Sequence, residues 1–197
     1  MKWPGHRSFL TIVFTLWFAT SFCQRLKYDV YLFGNKIGET VVERRDSAGF
    51  KCYTLRSHTD AKVLFVEKKS QMATDVLYDK DGKLLSSHFQ NIKNDEKFLT
   101  LSSWDNGRFL VNKDGTKTMI PGPVTYSSVM LYFFEPANFQ KVFSERVGQF
   151  FEMIRQADGT YMATLDGHSA MYTYKAGKLM ELEMKSSLGS VLMKRVQ

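Results

Sequence analysis

From Gln24 onward the chain alternates apolar and polar positions in short runs separated by turn residues, the pattern of antiparallel strands wet on one face. Leu26, Tyr28, Val30 and Leu32 oppose Lys27, Asp29, Tyr31 and Phe33, and Gly34-Asn35 turns the chain into a second strand from Lys36 to Arg45. Ser47-Ala48-Gly49 leads to a third strand through Phe50, Tyr53 and Leu55. Asp60-Ala61-Lys62 leads to a long fourth from Val63 to Tyr78. There Leu64, Val66, Met72, Val76 and Tyr78 share one parity, and Glu67, Lys69, Gln71 and Asp75 share the other.

Asp81-Gly82 makes the next turn, and Leu84 to Ile92 pairs with Phe98 to Trp104 around Asn94-Asp95. Asn106-Gly107 is a strong type I′ signal into Phe109 to Val111, and Asp114-Gly115 closes the series. The C-terminal third predicts five more hairpin-linked strands, over 150–155, 161–165, 169–174, 179–185 and 191–196. Met180, Leu182 and Met184 against Glu181, Glu183 and Lys185 give its clearest period-two segment.

Thr116 to Glu135 breaks this rule. Pro121-Gly122-Pro123 precedes Thr125, a natural N-cap, and Tyr126, Val129, Met130 and Phe133 follow at the i, i+3, i+4, i+7 spacing of an amphipathic helix. Pro136 marks its end. Phe139, Val142 and Phe143 fit either a further helical turn or the start of a strand. The fold class expected is therefore all-β, a curved antiparallel meander or incomplete β-barrel with one short inserted helix.

The N-terminus reads differently. Lys2 and Arg7 precede an apolar run from Phe9 to Ala19 and a small, polar stretch ending at Gln24, which is the layout of a signal peptide. The run is too short for a membrane-spanning helix, which takes about 20 residues, and no second run of that length follows. Cleavage after Ser21 or after Cys23 satisfies the small-residue preference, and the second is preferred, giving a signal peptide over 1–23 and a single domain over 24–197. Lipid anchoring at Cys23 is the lesser alternative, because Phe22 stands where acylation wants a small residue.

With Cys23 removed, Cys52 is the one remaining cysteine, so no internal disulfide forms, and Cys52 reads as a small buried apolar residue rather than a nucleophile. The full chain carries a formal charge of +7, two units of it from Lys2 and Arg7. The remaining basic residues lie in short pairs beside acids, such as Arg44-Arg45 next to Glu43 and Asp46. That pattern excludes a phosphate-tracking stripe and argues against a nucleic-acid partner.

Outside the leader, His58, His88 and His168 are far apart and in no ligand-spaced pair, so neither a metal nor a cofactor is expected. Asp166 near His168 reads first as part of an Asp-Gly turn. No nucleophile elbow, zinc-binding helix or phosphate loop occurs, so no catalytic residue is assigned and the chain is read as a non-enzyme. A hydrolase would require a histidine to meet a carboxylate across strands.

The aromatic insert is the one feature that points to binding. Gly122, Pro123, Tyr126, Met130, Tyr132 and Phe133 are the candidate ligand-binding residues, forming a lid over an apolar concavity. The competing reading makes the same segment a plug that completes the core.

The run Tyr28-Asp29-Val30-Tyr31-Leu32-Phe33-Gly34-Asn35-Lys36-Ile37-Gly38, the block from Ile120 to Ser127, Glu135-Pro136, Ser144-Glu145-Arg146 and Tyr172…Tyr174…Gly177 resemble a family of exported bacterial proteins. That family is common in Bacteroidetes and catalogued only as a domain of unknown function. The resemblance implies a periplasmic or outer-envelope location and a β architecture similar to the open half-barrels of lipoprotein-localisation carriers. It implies no activity. Two roles are expected on this footing: binding of a lipid-like or apolar ligand under the insert, or a structural or protein-interaction module of the envelope with a filled core and an envelope protein as partner.

Overall fold

Two-residue turns with positive φ at both positions twist in the same sense as the strands they join, so they fold the chain straight back on itself. Asn106 (φ 44°) and Gly107 (φ 88°) are one such pair, and Asn94 (φ 47°) and Asp95 (φ 71°) another. A chain of these turns makes neighbours in sequence into neighbours in the sheet. The computed structural model describes residues 22–63, 66–137, 139–186 and 189–196. The strands are β1 (Phe22–Leu32), β2 (Asn35–Ser47), β3 (Phe50–Val63), β4 (Val66–Tyr78), β5 (Leu84–Lys93), β6 (Glu96–Asp105), β7 (Arg108–Lys113) and β8 (Thr116–Pro121). After an insert come β9 (Lys141–Ser144), β10 (Gln149–Arg155), β11 (Tyr161–Leu165), β12 (His168–Lys175), β13 (Lys178–Ser186) and β14 (Gly189–Arg195).

All lie in one antiparallel sheet of order β8-β7-β6-β5-β4-β3-β2-β1-β14-β13-β12-β11-β10-β9. The two meanders are joined where β1 meets β14, with Tyr28 opposite Arg195 and Leu32 opposite Val191. The sheet does not close: β8 and β9 are its edges. It is an open, barrel-like all-β fold, as the alternation predicts.

The inward parity is the apolar one. Tyr28, Val42, Tyr53, Leu55, Val76, Phe109, Tyr161, Leu182 and Met193 are buried and meet in one core. The insert between β8 and β9 runs through this concavity, and Val124, Tyr126, Val129, Leu131, Tyr132 and Phe133 join the same core.

Several local expectations need correction. The β3–β4 turn is not at Asp60-Ala61-Lys62; β3 continues to Val63, because Ala61 faces inward and the ladder runs on, with Asp60 opposite Lys69 and Lys62 opposite Glu67. Leu64 lies outside the described residues. Thr116 to Pro121 is a strand rather than the lead into a helix, held by its ladder with β7 although most of its side chains are exposed. The expected helix is a single 3-10 turn, Ser128–Tyr132, preceded by the extended Ser127 rather than capped by Thr125. Val142 and Phe143 belong to strand β9.

Candidate functional site

Irregular backbone inside a barrel brings polar groups that the sheet ladder cannot satisfy. Here inward tyrosines of the wall serve them. Tyr28 Oη donates to the Leu179 carbonyl at 3.2 Å and, more distantly, to Tyr132 O at 3.5 Å. Tyr78 Oη donates to Ser127 Oγ at 2.7 Å, Tyr174 Oη to Leu131 O at 2.8 Å and Tyr161 Oη to Glu135 Oε1 at 2.9 Å. Burial pushes the Tyr28 and Tyr53 phenols up to about 12 and the Tyr78 phenol well above its ordinary value. All three stay neutral at physiological pH, with Tyr28 and Tyr78 the donors among them. Edge-on ring packing of Tyr53 on Tyr78 and Phe133, and of Tyr28 on Tyr132, locks the insert to the wall.

Glu145, in the β9–β10 turn, is buried and points at the insert: Oε1 accepts from the Val129 N–H at 3.1 Å and Oε2 from Ser128 Oγ. It caps the 3-10 turn from the side, where Ser127 gives no capping bond. Burial pushes its carboxyl above the usual carboxylate range, against the hydrogen bonds from Ser127, Ser128 and the Val129 amide.

The insert enters after β8, at the barrel end that carries the β2–β3, β4–β5 and β12–β13 turns, and the Leu84 amide is bound by Val124 O there. It fills that end. Toward the opposite end, where the β3–β4, β5–β6, β11–β12 and β13–β14 turns lie, the concave face encloses a cavity of about 510 Å³. This lies within the range of ligand pockets, about 300–1,000 Å³. Its apolar lining comes from Leu55, Met72, Phe89, Val129, Leu182 and Met184, among others. The rings of Tyr132 and Tyr172 also line it, each less than a tenth exposed, and among the described residues neither hydroxyl has a hydrogen-bond partner.

The polarity of this wall changes along each strand. On the inward parity of β4 the order toward the mouth is Val76, Thr74, Met72, Ser70, Lys68, and on β5 it is Phe89, Asn91, Lys93. His168 opens β12 at the same rim, and Arg146 and Lys185 complete it. Among the described residues, Lys68, Lys93 and Lys185 have no carboxylate within ion-pair distance, and Arg146 reaches only the exposed Asp166 at 4.0 Å.

Of the six residues singled out from sequence, only Tyr132 lines this cavity. Tyr126 and Phe133 are core residues, Met130 is half-buried against the core, and Gly122 and Pro123 sit outside at the plugged end. The insert is thus a plug whose inner end floors a cavity, rather than a lid over one. The signal missed in the sequence was Lys68, which shares the parity of Met72 and Val76.

The histidines stay apart: His58 on β3 and His88 on β5 are exposed on the outer face, and His168 is at the rim. Among the described residues no three of His, Cys, Asp and Glu group to hold a metal ion. A larger depression of about 920 Å³ lies on the outer face of β3 to β8, where Cys52, Leu77, His88, Leu101, Leu110 and Met119 surround it. Leu101 and Met119 are exposed there, beside the free edge of β8.

The model of a family described as Domain of unknown function (DUF6134) matches residues 28–196. The fold is similar to the crystal structure of a β-barrel-like protein of Domain of Unknown Function DUF1849 from Brucella abortus. That likeness has a TM-score of 0.51 at 13% identity, covers 88% of this chain and 95% of the other, and speaks to the fold alone. No curated protein matches the sequence.

Proposed function

We propose that this chain, which belongs to the family described as Domain of unknown function (DUF6134), is a non-enzymatic binding protein for an apolar or lipid-like ligand, working in the periplasm or outer envelope after export. The observation that carries this reading is the cavity between the insert and the mouth. Its walls are mainly apolar, and two nearly buried phenols present hydroxyls without partners among the described residues. Buried polar groups are usually satisfied. Hydroxyls left over at a cavity surface fit a guest, or ordered water, that completes them. Export rests on the leader pattern of residues 1–23, of which 1–21 lie outside the described residues.

The test is native mass spectrometry of the mature domain purified without detergent, followed by extraction of what it releases and by uptake of a fluorescent fatty acid. Near-stoichiometric acyl species, or uptake that Ala170→Trp abolishes by filling the cavity, is the expected result. Ligand-free protein that takes up no acyl probe overturns the reading.

A second reading draws on the outer depression. Exposed apolar side chains beside an unpaired strand edge suit docking of an envelope protein. Met119→Lys would abolish such docking and leave acyl binding unchanged.

A further inference from the structure

The wall of the cavity is graded, and the gradient carries more than the presence of a cavity does. An inward position on a curved sheet is a place for apolar or small hydroxyl side chains, since a lysine there costs desolvation unless its ammonium reaches water or an anion. Both β4 and β5 nevertheless end their inward stripes on lysine, at Lys68 and Lys93, and the strand pairing sets them together: Lys93 lies opposite Ser70, one inward step from Lys68. Arg146, exposed in the β9–β10 turn, and Lys185, exposed on the outward parity near the end of β13, border the same mouth from the other half of the sheet. Among the described residues the one acid in the lining, Glu145, is turned to the insert and held by Ser128 and Val129, so it does not neutralise the rim.

An apolar interior behind a ring of cations is complementary to one kind of molecule. We infer that the ligand is a single-chain amphiphile with an anionic head, a carboxylate or a phosphate monoester, whose head sits among Lys68, Lys93, Arg146 and Lys185 while its chain runs inward to Tyr132 and Tyr172. This rests on the binding reading above and adds the charge and orientation of the guest. The head meets charge-assisted donors in a partly screened site, and the chain replaces water on Leu55, Met72, Phe89 and Leu182.

The experiment uses the delipidated mature protein and four probes of equal chain length: laurate, monolaurin, lauroyl lysophosphatidic acid and lauroyl lysophosphatidylcholine, titrated by calorimetry at low and high salt. Laurate, the lysophosphatidic acid or both are expected to bind at least ~10-fold tighter than monolaurin, the worth of one or two charge-assisted hydrogen bonds. Which of the two binds tighter identifies the head as carboxylate or phosphate. The advantage is expected to shrink with added salt and to vanish in the Lys68→Gln/Lys93→Gln double variant, while monolaurin affinity holds. The salt series on the unaltered protein gives the same answer should the variant fold poorly. Equal affinity for neutral and anionic probes overturns the inference and leaves the binding reading standing. Binding of none of the four overturns both.

Discussion

The Tyr78 hydroxyl and Ser127 Oγ are 2.7 Å apart, both buried, one on the sheet wall and the other on the insert that crosses the barrel. Tyr78 shares the inward parity of Val76 and Thr74, and its ladder with β3 runs through it without a break, so the phenol points into the interior. Removing the hydroxyl by Tyr78→Phe leaves Ser127 with Glu145 as its remaining partner. The expected loss is about 1 kcal/mol, the net worth of one buried hydrogen bond. It is read as a lower urea midpoint at unchanged slope. Tyr31→Phe is the control, since Tyr31 reaches Asp29 only at 3.5 Å on the outer face, and no measurable shift is expected there. Equal midpoints for the two variants would show that the bond does not hold the insert.

Gly38 ends the β1–β2 stretch that the sequence reading singled out, and its role is space rather than a special φ. A Cβ at this position would come within 2.0 Å of the His58 carbonyl oxygen and 2.8 Å of Thr59 Cα, both backbone atoms of β3. Neither atom moves without parting β2 from β3. Gly38→Ala is therefore expected to cost about 1–3 kcal/mol or more, the range of overpacked sites. An unchanged thermal midpoint would refute this account of the close approach.

The strands were legible because their signals are local: period-two alternation and Asn-Gly, Asp-Gly or Ala-Gly turns act over a few residues. β8 was hidden because Thr116 to Met119 is exposed at every position, so an edge strand held only by its ladder shows no alternation. The β1–β14 junction was hidden for the opposite reason, as it pairs residues at the two ends of the domain. The spacing of Tyr126, Val129, Met130 and Phe133 identified a segment bound for the core but overstated its helix. Inside the barrel the Leu131 and Tyr132 carbonyls and the Val129 amide are taken by Tyr174, Tyr28 and Glu145, so the helical bonds stop at those of the Met130, Phe133 and Phe134 amides. The cavity was half legible, since a lysine at an inward position of β4 can be read from parity alone, whereas its sharing of one mouth with Arg146 and Lys185 depends on how the whole sheet curves.

The start of β1 bears on processing. Phe22 pairs with Asp46, and its ring lies 5.3 Å from the Arg44 guanidinium carbon, which has Phe134 at 5.2 Å as well. Cleavage after Cys23 would strip that ring from the sandwich; cleavage after Ser21 keeps it. If the chain is exported as proposed, the expected mature N-terminus is Phe22 rather than the Gln24 preferred from the sequence, which N-terminal sequencing of the mature protein decides. Thiol titration in denaturant gives an independent count. Cys23 and Cys52 both neighbour Arg45, one on each side in the ladder. Two strand spacings separate them by about 9–10 Å, beyond the roughly 7 Å that a disulfide tolerates. Two free thiols are expected, and one would mean that the chain begins at Gln24.

Glu145 makes stability depend on pH in a direction opposite to the usual carboxylate. Its folded pKa is raised by burial, so the folded chain keeps a proton that the unfolded chain, with an ordinary glutamate near 4.3, has already released. The unfolded state binds fewer protons across that interval. Its contribution to stability is fully present below the unfolded pKa and is lost as pH rises toward the raised folded value. Glu39, pulled down to about 2 by Lys27 and Lys36, and Asp79 and Asp158, held low by hydrogen bonds from Lys83 and Thr160, act oppositely at lower pH. Comparison with Glu145→Gln cancels them, because both proteins share them. The glutamine cannot ionise, and its carbonyl oxygen still accepts from the Val129 amide. The stability of Glu145→Gln relative to the unaltered protein is therefore expected to rise with pH from about 4.3 upward and then level off, as measured by urea unfolding from pH 4 to 8. Two parallel profiles would mean that the Glu145 carboxyl titrates no differently in the folded chain than in the unfolded one, and that its burial beside Ser128 is relieved by water.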